Sequence, residues 1–449
     1  MRLSPLLHAL STALALAQHG LSKPYTRSEA VPPSQDPFYS VPRNISALKP
    51  GHVIRHRKPP ASFEAFGHEP KNIHEAHQIL YRTADNQDNA TATVLTVLIP
   101  KDANMKKVVS YQVAEDAASV DCAPSFGFLS AVSAHEPLIS ATMQLQLLIV
   151  QAALARGWVV IVPDFQGPMG AYSANRLAGS AVLDGIRAAL QSESLTGIDP
   201  NADIVLWGYS GGATVSQAAT SMQPIYAPEL DLAGAAVGGL GPSNVSLVNI
   251  LDFNKNRRTG LLMAFLIGLS NQYKTFRAAI DEQLKPQHRE EFYSPLHQCL
   301  ETNYRVFNNK DVLSWFSDLS PVFNNSVLAQ IGIDNTRGMT TSQTPMLWYQ
   351  CTLDELADIK DIDRFYEDSC KQGVMIDYIR DTATNLKHSN YGIVGASAAL
   401  SWIEARFERK APDEKCFKQT TNTPNINKSF LALFPKEIQD SLLQLVGAP

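Results

Sequence analysis

The segment DIVLWGYSGGATVSQAA (Asp203 to Ala219) constrains the fold of this chain more than any other stretch. Its apolar first part predicts a buried strand, and its Ala- and Ser-rich second part predicts a helix. A serine between two such elements needs an unusual backbone conformation, and neighbouring side chains would clash with the strand and the helix. Gly208 and Gly212 remove those clashes. The segment therefore predicts a strand, a sharp turn with Ser210 at its tip, and a helix.

The same alternation of strands and helices runs through most of the chain. WVVIVPD (Trp158 to Asp164) predicts a buried strand, and SATMQLQLLIVQAALARG (Ser140 to Gly157) predicts the helix before it. Strands that are apolar on both faces and alternate with helices indicate an α/β fold, in which helices cover both faces of a mostly parallel sheet. Further strands are predicted at 91–100, 107–113, 204–208, 232–241, 344–350 and 373–379, and further helices at 179–192 and 395–407.

Residues 242–343 break this alternation, because they have helical patterns and lie between two successive strands of the sheet. We predict that they form an inserted helical cap, or lid, on a core made of 61–241 and 344–449. The run LLMAFLIGL (Leu261 to Leu269) fits either a lid face that meets lipid or the buried interior of the cap. The polar, proline-rich residues 18–60 predict an extended N-terminal arm.

The N-terminus has the pattern of a secretory signal peptide. Arg2 supplies a positive charge, an apolar stretch follows, and Ala15-Leu16-Ala17 is a small-x-small cleavage site. The pattern predicts removal of residues 1–17 and an extracellular mature protein, and the remaining sequence has no run of about 18 apolar residues that would predict a membrane span. Secretion also suits the glycosylation sequons at Asn44, Asn89, Asn244, Asn324 and Asn427.

Charge and cysteine content exclude several classes of function. The formal net charge is -5, and the densest basic run, RHRKPP (Arg55 to Pro60), is too short to follow a phosphate backbone, so no nucleic-acid partner is expected. The 5 cysteines contain no CxxC pair, so a zinc or redox motif is not expected. Their number fits two disulfides and one free thiol, and the alternative is that all 5 are buried thiols. HEAH (His74 to His77) is not HExxH and has no third ligand close in sequence, so no metal site is expected.

Ser210 needs a base to become a nucleophile, and the base needs a third group to orient it. Gly-x-Ser-x-Gly between a strand and a helix is the pattern of a nucleophile elbow, for which the chain order is serine, acid, histidine. His288, His297 and His388 follow the serine, and the first two fall in the predicted cap. His388 falls in a predicted loop after the strand at 373–379, where the base is expected.

The acid is expected after the preceding strand. Asp354 lies four residues beyond Gln350 at the end of that strand, where a loop carboxylate could accept the imidazole N–H, and Asp358 is the alternative. The helix after Ser210 would direct its first N–H groups toward an oxyanion that develops beside the serine. Asp164 ends another strand, and a role in capping a turn is favoured over a role in the pocket.

These residues carry a family resemblance. The chain resembles the fungal secretory lipases, the Candida antarctica lipase A-like α/β-hydrolases, over nearly everything after residue 17. The similarity rests on DPFYSVP, VVSYQVAEDAASVDCAPSF, GWVVIVPDFQGPMGAY, LDGIRAAL, GYSGG, TLDELAD and ALSWIEARF. The resemblance implies the α/β-hydrolase fold with Ser210 as nucleophile, Asp354 as acid and His388 as base.

The resemblance implies two further features. The oxyanion hole would consist of the backbone N–H groups of Gly211 and Asp116, with Glu115 the alternative to Asp116. The chain departs from many lipases here, because it lacks a His-Gly-Gly-Gly oxyanion motif. The family pattern also implies the disulfides Cys122–Cys299 and Cys370–Cys416, which would leave Cys351 free.

The expected function is that of a secreted serine carboxylic-ester hydrolase, a lipase or esterase that cleaves lipophilic esters through an acyl-enzyme. No cofactor, metal or stable protein partner is expected, and contact with a lipid interface would be transient. The family that the chain resembles also includes trichothecene deacetylases, so the alternative function is deacetylation of a secondary metabolite. A serine peptidase of the same fold or a non-catalytic binding protein fits less well.

Overall fold

A computed structural model describes residues 30–241, 252–410 and 414–447. The predicted signal peptide and the sequon at Asn244 lie outside these residues, as do the first residues of the predicted arm and cap. Within them the strands form one ten-stranded sheet in the order β1-β2-β3-β5-β4-β6-β7-β8-β9-β10. The strands are β1 (Val53–Arg57), β2 (Glu75–Ala84), β3 (Ala90–Ile99), β4 (Asn104–Gln112), β5 (Trp158–Pro163), β6 (Asp203–Tyr209), β7 (Leu232–Gly238), β8 (Met346–Cys351), β9 (Ile376–Asp381) and β10 (Cys416–Thr421).

Helices connect the strands of the sheet and form the insertion between β7 and β8. They are α1 (Pro124–Gly127), α2 (Ala141–Leu154), α3 (Asn175–Leu190), α4 (Glu193–Thr196), α5 (Gly211–Tyr226), α6 (Thr259–Gln272), α7 (Lys274–Gln283), α8 (Arg289–Tyr293), α9 (Leu300–Phe307), α10 (Asn325–Thr336), α11 (Ile359–Lys371), α12 (His388–Phe407), α13 (Lys428–Leu431) and α14 (Lys436–Leu445).

The sheet is parallel from β5 through β4 to β10, and β1, β2 and β3 join it in antiparallel pairs. Every residue of β5 and β8 is buried, as the continuous apolar runs predict. The mostly parallel α/β architecture is confirmed, but β1, β2 and β10 were not predicted. β1 lies within residues 18–60, which were predicted to form an extended arm, and it pairs with β2 of the sheet. The described part of this segment also contains short 3-10 helices before β1.

Apolar side chains form one core cluster on each face of the sheet and a separate one in the insertion. The helices α6 to α10 of the insertion enclose the third cluster. Leu262, Met263, Leu266, Ile267 and Leu269 of the apolar run are all buried in it. The run is therefore the interior of the cap, and the alternative of an exposed lid face does not fit.

Two disulfides tie the fold together, and both are those implied by the family resemblance. Cys122–Cys299 joins the loop after β4 to the residue before α9, and so links the core to the cap. Cys370–Cys416 joins α11 to the start of β10. Cys351 is a buried free thiol. None of the helices that the structure describes has the length and apolar character needed to cross a membrane.

Candidate active site

Ser210 lies at the turn between β6 and α5, with φ 56° and ψ -122°. A Cβ atom at Gly208 would lie 2.2 Å from the carbonyl oxygen of Gly212, and one at Gly212 would lie 1.9 Å from that of Gln112 in β4. Both distances are far shorter than a van der Waals contact, so neither position accepts a side chain. The clash predicted from the sequence is confirmed, and this close approach forces the strained turn.

The three residues predicted from the order of the chain lie in one hydrogen-bonded line. The Nε2 atom of His388 is 2.7 Å from the Oγ atom of Ser210, and its Nδ1 atom is 2.8 Å from Oδ2 of Asp354. The serine and the histidine are 178 residues apart in sequence, and the histidine and the aspartate 34. β6, β8 and β9 end at the same edge of the sheet, which is why their following loops meet there.

Asp354 is fixed by more than the histidine. Its Oδ2 also accepts a hydrogen bond from Nε2 of Gln350 at 2.8 Å, and its Oδ1 accepts the N–H groups of Leu356 at 2.8 Å and Ala357 at 3.3 Å. Its side chain is 0% exposed. Asp358, the alternative acid, is exposed, and its carboxylate accepts the N–H of Lys360 at the start of α11. The geometry therefore favours Asp354.

The polar sequence around His388 predicted a loop, but His388 is the first residue of α12. The side chain of Asn390 accepts the N–H of Lys387 at 2.6 Å, which supports this helix start. The N–H of His388 itself donates to Oε2 of Glu355 at 2.9 Å. The carbonyl oxygen of His388 accepts the hydroxyl of Tyr209 at 2.6 Å, so the backbone of the histidine is held on both sides.

The electrostatic environment of His388 favours its protonated form. Burial alone lowers the pKa of His388, but the negative charges of Asp354, Glu355 and Asp116 outweigh burial, and the pKa lies above its ordinary value. A histidine in this setting retains a proton between Nδ1 and the aspartate and stabilises a second one on Nε2. That behaviour suits a base that must hold the proton of the serine.

Asp116, in the loop after β4, lies against Gly211, the residue that follows Ser210. Gly211 is the first residue of α5, where helical N–H groups have no acceptor inside the helix. A Cβ atom at Gly211, the first glycine of Gly-Gly, would lie 2.2 Å from Oδ1 of Asp116, so a side chain there would displace this carboxyl group. Asp116 has φ 47°, a left-handed conformation. Burial raises the pKa of Asp116 to about 6, although His388 and a hydrogen bond with Tyr172 act against this rise.

Glu115 lies one residue from this position and is also buried. Burial, with Asp164 and Asp116 nearby, raises the pKa of Glu115 well above its usual range. The carboxylate of Asp164 accepts the N–H of Ser125 at 2.9 Å and the hydroxyl of the same serine. Burial raises the pKa of Asp164 to about 7. The loop after β4 thus contains two buried carboxyl groups with raised pKa values, Glu115 and Asp116, and Asp164 is a third such group that acts on Glu115.

The other candidates from the sequence are not brought to this site. His288 stacks on Trp315 in the cap, with ring centroids 4.9 Å apart. His77 is buried in β2, and its Nδ1 atom lies 2.7 Å from Nε2 of His56 in the neighbouring strand. Among the described residues, no group of three or more His, Cys, Asp or Glu side chains is placed to hold a metal ion. The sequon asparagines that the structure describes are exposed: Asn44, Asn89, Asn324 and Asn427.

Comparison with known proteins identifies the family. A family model described as "Secretory lipase" matches residues 132–414. "Lipase A" of Arthroderma benhamiae is 37% identical over 428 residues, which cover 95% of this chain and 90% of that protein. The chain belongs to the secretory lipase family. Its members here also include "Lipase 6" of Candida albicans, which is 33% identical over 93% of this chain and 91% of its own length.

The fold is shared with a solved structure. Candida antarctica lipase A in its closed state superposes with a TM-score of 0.77 at 24% identity, and the match covers 94% of this chain and 98% of that one. That likeness establishes the α/β-hydrolase fold. The family and the curated relatives make this member of the secretory lipase family a carboxylic-ester hydrolase.

Proposed function

We propose that the protein is an extracellular lipase that cleaves lipophilic carboxylic esters with Ser210 as nucleophile, His388 as general base and Asp354 as the orienting acid. One observation carries this proposal. The line from Asp354 through His388 to Ser210 has contacts of 2.8 Å and 2.7 Å, which are the distances that proton transfer from a serine requires. An unusual serine backbone and a buried acid support the same assignment.

In the first half of the reaction, Nε2 of His388 takes the proton of Ser210 as Oγ attacks the ester carbonyl carbon. The carbonyl oxygen becomes negatively charged and is stabilised by the N–H of Gly211 and that of Asp116. The positive dipole end of α5 adds to this stabilisation. When the tetrahedral intermediate collapses, the alcohol leaves with the proton from Nε2, and the acyl group remains on Oγ.

In the second half, water replaces the alcohol. Nε2 of His388 removes a proton from the water as its oxygen attacks the acyl carbon, and the same oxyanion donors act again. Collapse of the second intermediate breaks the bond to Oγ of Ser210, which regains its proton from Nε2, and releases the carboxylic acid. Asp354 stays ionised throughout and stabilises the imidazolium in both halves.

The substrate class is proposed from the relatives. The curated relatives are named lipases, and the matching family is named for secretion. The substrates of a lipase are esters with long apolar acyl chains. Burial of each CH₂ of such a chain stabilises its binding by about 0.8 kcal/mol, so longer chains are expected to be preferred.

The first experiment measures hydrolysis of p-nitrophenyl acetate, butyrate, octanoate and palmitate by the wild type, Ser210→Ala and Ser221→Ala. We expect kcat/KM to rise with acyl length and to fall by about 10³-fold or more in Ser210→Ala. Ser221 lies on the same helix without contact to His388, so Ser221→Ala is the matched control and should retain wild-type rates. A fluorophosphonate should label the wild type and Ser221→Ala but not Ser210→Ala.

Three outcomes contradict parts of the proposal. Full activity in Ser210→Ala would remove the serine mechanism. Hydrolysis of the acetyl ester alone, together with turnover of an acetylated sesquiterpenoid, would replace the lipase with a metabolite deacetylase. Absence of ester turnover with cleavage of peptide substrates would make the protein a peptidase of the same fold.

A further inference from the structure

A second carboxylate contacts the catalytic histidine. Oε2 of Glu355 accepts the backbone N–H of His388 at 2.9 Å across 33 residues of sequence. The first N–H groups of a helix lack acceptors within it, and a negative charge there is favoured by the helix dipole. Glu355 therefore holds the start of α12, which is the point at which the imidazole is attached.

Asp354 and Glu355 are consecutive residues that act on the same histidine in different ways. Asp354 contacts the ring through Nδ1, and Glu355 contacts the backbone of the same residue. The backbone N–H and the ring of His388 are thus both held, and this restricts the rotation of the imidazole about its side-chain bonds. Both carboxylates also favour the protonated imidazole, and Glu355 is one of the charges that raise the pKa of His388.

The other oxygen of Glu355 faces the cap. Its Oε1 atom lies 3.8 Å from Nη2 of Arg257, in the segment just before α6. The arginine side chain is 46% exposed and that of the glutamate 16%, so this pair spans the boundary between solvent and the site. The positive potential of Arg257 at that distance from Glu355 partly cancels the negative potential of the carboxylate at the imidazole of His388.

The charged and titratable groups around this pair come from several elements. Asp354, Glu355 and Asp116 face the imidazole, and Tyr209 holds the histidine carbonyl. On the cap side, the ring of Tyr304 in α9 lies under the influence of Asp116, Glu301, Arg257 and Glu355. Cys351 at the end of β8 also faces Glu355. A change at Glu355 or Arg257 removes one charge and leaves this surrounding set intact.

We infer that Glu355 is a second positioning carboxylate for His388, and that Arg257 of the cap moderates it. This inference rests on the proposed triad, because it concerns how the histidine of that triad is held. The cap then contributes to the electrostatic environment of His388, because Arg257 weakens the effect of Glu355 on the basicity of the imidazole. Glu355 and Arg257 do not touch the reacting atoms, and they act through the histidine.

The test uses the pH dependence of inactivation by a fluorophosphonate, which follows the basic form of His388 without depending on the acyl chain of a substrate. Glu355→Gln keeps an oxygen acceptor but removes the charge, so the acid limb of the profile should move to lower pH. Arg257→Gln leaves Glu355 unopposed, so the limb should move to higher pH. Glu355→Ala also loses the acceptor, and its rate on the pH plateau should fall by about tenfold.

The chain offers matched controls for both variants. Lys255 lies in the same cap segment but pairs with Asp311 at 2.8 Å, so Lys255→Gln removes an equal charge and should leave the limb where it is. Arg257→Lys keeps the charge and should restore the wild-type limb. Melting temperatures of all variants identify any that fold poorly, and Arg257, being half-exposed, provides a test that does not depend on a buried substitution.

Opposite shifts for Glu355→Gln and Arg257→Gln support the inference. An unmoved limb in a folded Glu355→Gln protein, a shift of both variants in the same direction, or an equal shift in Lys255→Gln would overturn it. Failure of the triad itself gives a different result, because the fluorophosphonate would then label Ser210→Ala as well as the wild type.

Discussion

The carboxyl groups that follow β8 and β4 are held in opposite ways. The side chain of Asp354, after β8, is completely buried, yet it accepts hydrogen bonds from Gln350, Leu356 and Ala357 in addition to its contact with His388. After β4, Glu115 is also buried, and its Oε2 atom has no hydrogen-bond partner among the residues that the structure describes. Burial is thus common to both regions, whereas the supply of donors is not.

The difference bears on how a buried carboxyl group is stabilised. Donors around Asp354 replace the water that burial removed. Where donors are fewer, burial raises the pKa of Asp116 to about 6 and that of Asp164 to about 7. A negative charge close to the N–H of Gly211 would oppose an oxyanion there. The loop after β8 therefore supplies its carboxyl group with donors, whereas burial favours the neutral form of the carboxyl groups of Glu115 and Asp116 after β4.

The largest expected effect tests the donor-rich side. Asp354→Asn cannot stabilise the imidazolium, so kcat/KM should fall by about 10³- to 10⁴-fold in ester hydrolysis. Asp358→Asn removes a charge four residues away but keeps a helix-capping side chain, and it should stay within about twofold of the wild type. If the larger loss occurs at Asp358, the acid is assigned to the wrong residue.

A smaller effect is expected at Asp116, and it is one of stability. The folded protein retains this proton up to about pH 6, whereas the unfolded chain releases it near its ordinary pKa. The free energy of unfolding therefore declines as pH rises from about 4 to about 6, by about 3 kcal/mol.

Asp116→Asn removes this titration and isolates its effect. The variant should be more stable than the wild type above pH 6 and equal to it below about pH 4, as measured by urea unfolding across this range. Asparagine also tolerates the left-handed φ of 47° at this position. Equal stability differences at pH 4 and pH 8 would show that Asp116 does not titrate as described.

The smallest effect is expected at Glu115. Burial raises the pKa of Glu115 well above its usual range and so favours the neutral side chain, and glutamine has almost the same shape. Glu115→Gln should change the free energy of unfolding at pH 6 by less than about 1 kcal/mol and leave kcat within about twofold. A large loss of activity with normal stability would mean that Glu115, rather than Asp116, takes part in the oxyanion side.

The sequence predicts the central part of the fold well and its edges poorly. β5 and β8 are buried on both faces, so their apolar runs are visible in the sequence. β10 has mostly exposed residues and the polar sequence CFKQTT, and β1 is short and lies among charged residues. Strands of this kind are defined by the partner they pair with, and β10 pairs with β9 along its whole length.

The candidate site divides in the same way. The elbow is local, because the glycines around Ser210 are needed for contacts within a few residues and with one adjacent strand. The order of the chain predicted His388 as the base and Asp354, with Asp358 as the alternative, as the acid, and the structure places Asp354 against His388. The start of α12 was missed, since the acceptor for the N–H of His388 is Glu355 from a different loop, and no local pattern records that contact.

By itself, the sequence determined the alternating α/β plan and the turn that carries Ser210, and it predicted Asp354 and His388 as the acid and the base. These depend on periodicity, on glycine and on chain order, which are properties of short segments. Only the tertiary structure decided which carboxyl groups are supplied with donors, that LLMAFLIGL is cap interior, and that Arg257 of the cap faces Glu355. These properties arise from contacts between residues far apart in the chain, and the free energy of a charge depends on all the groups around it.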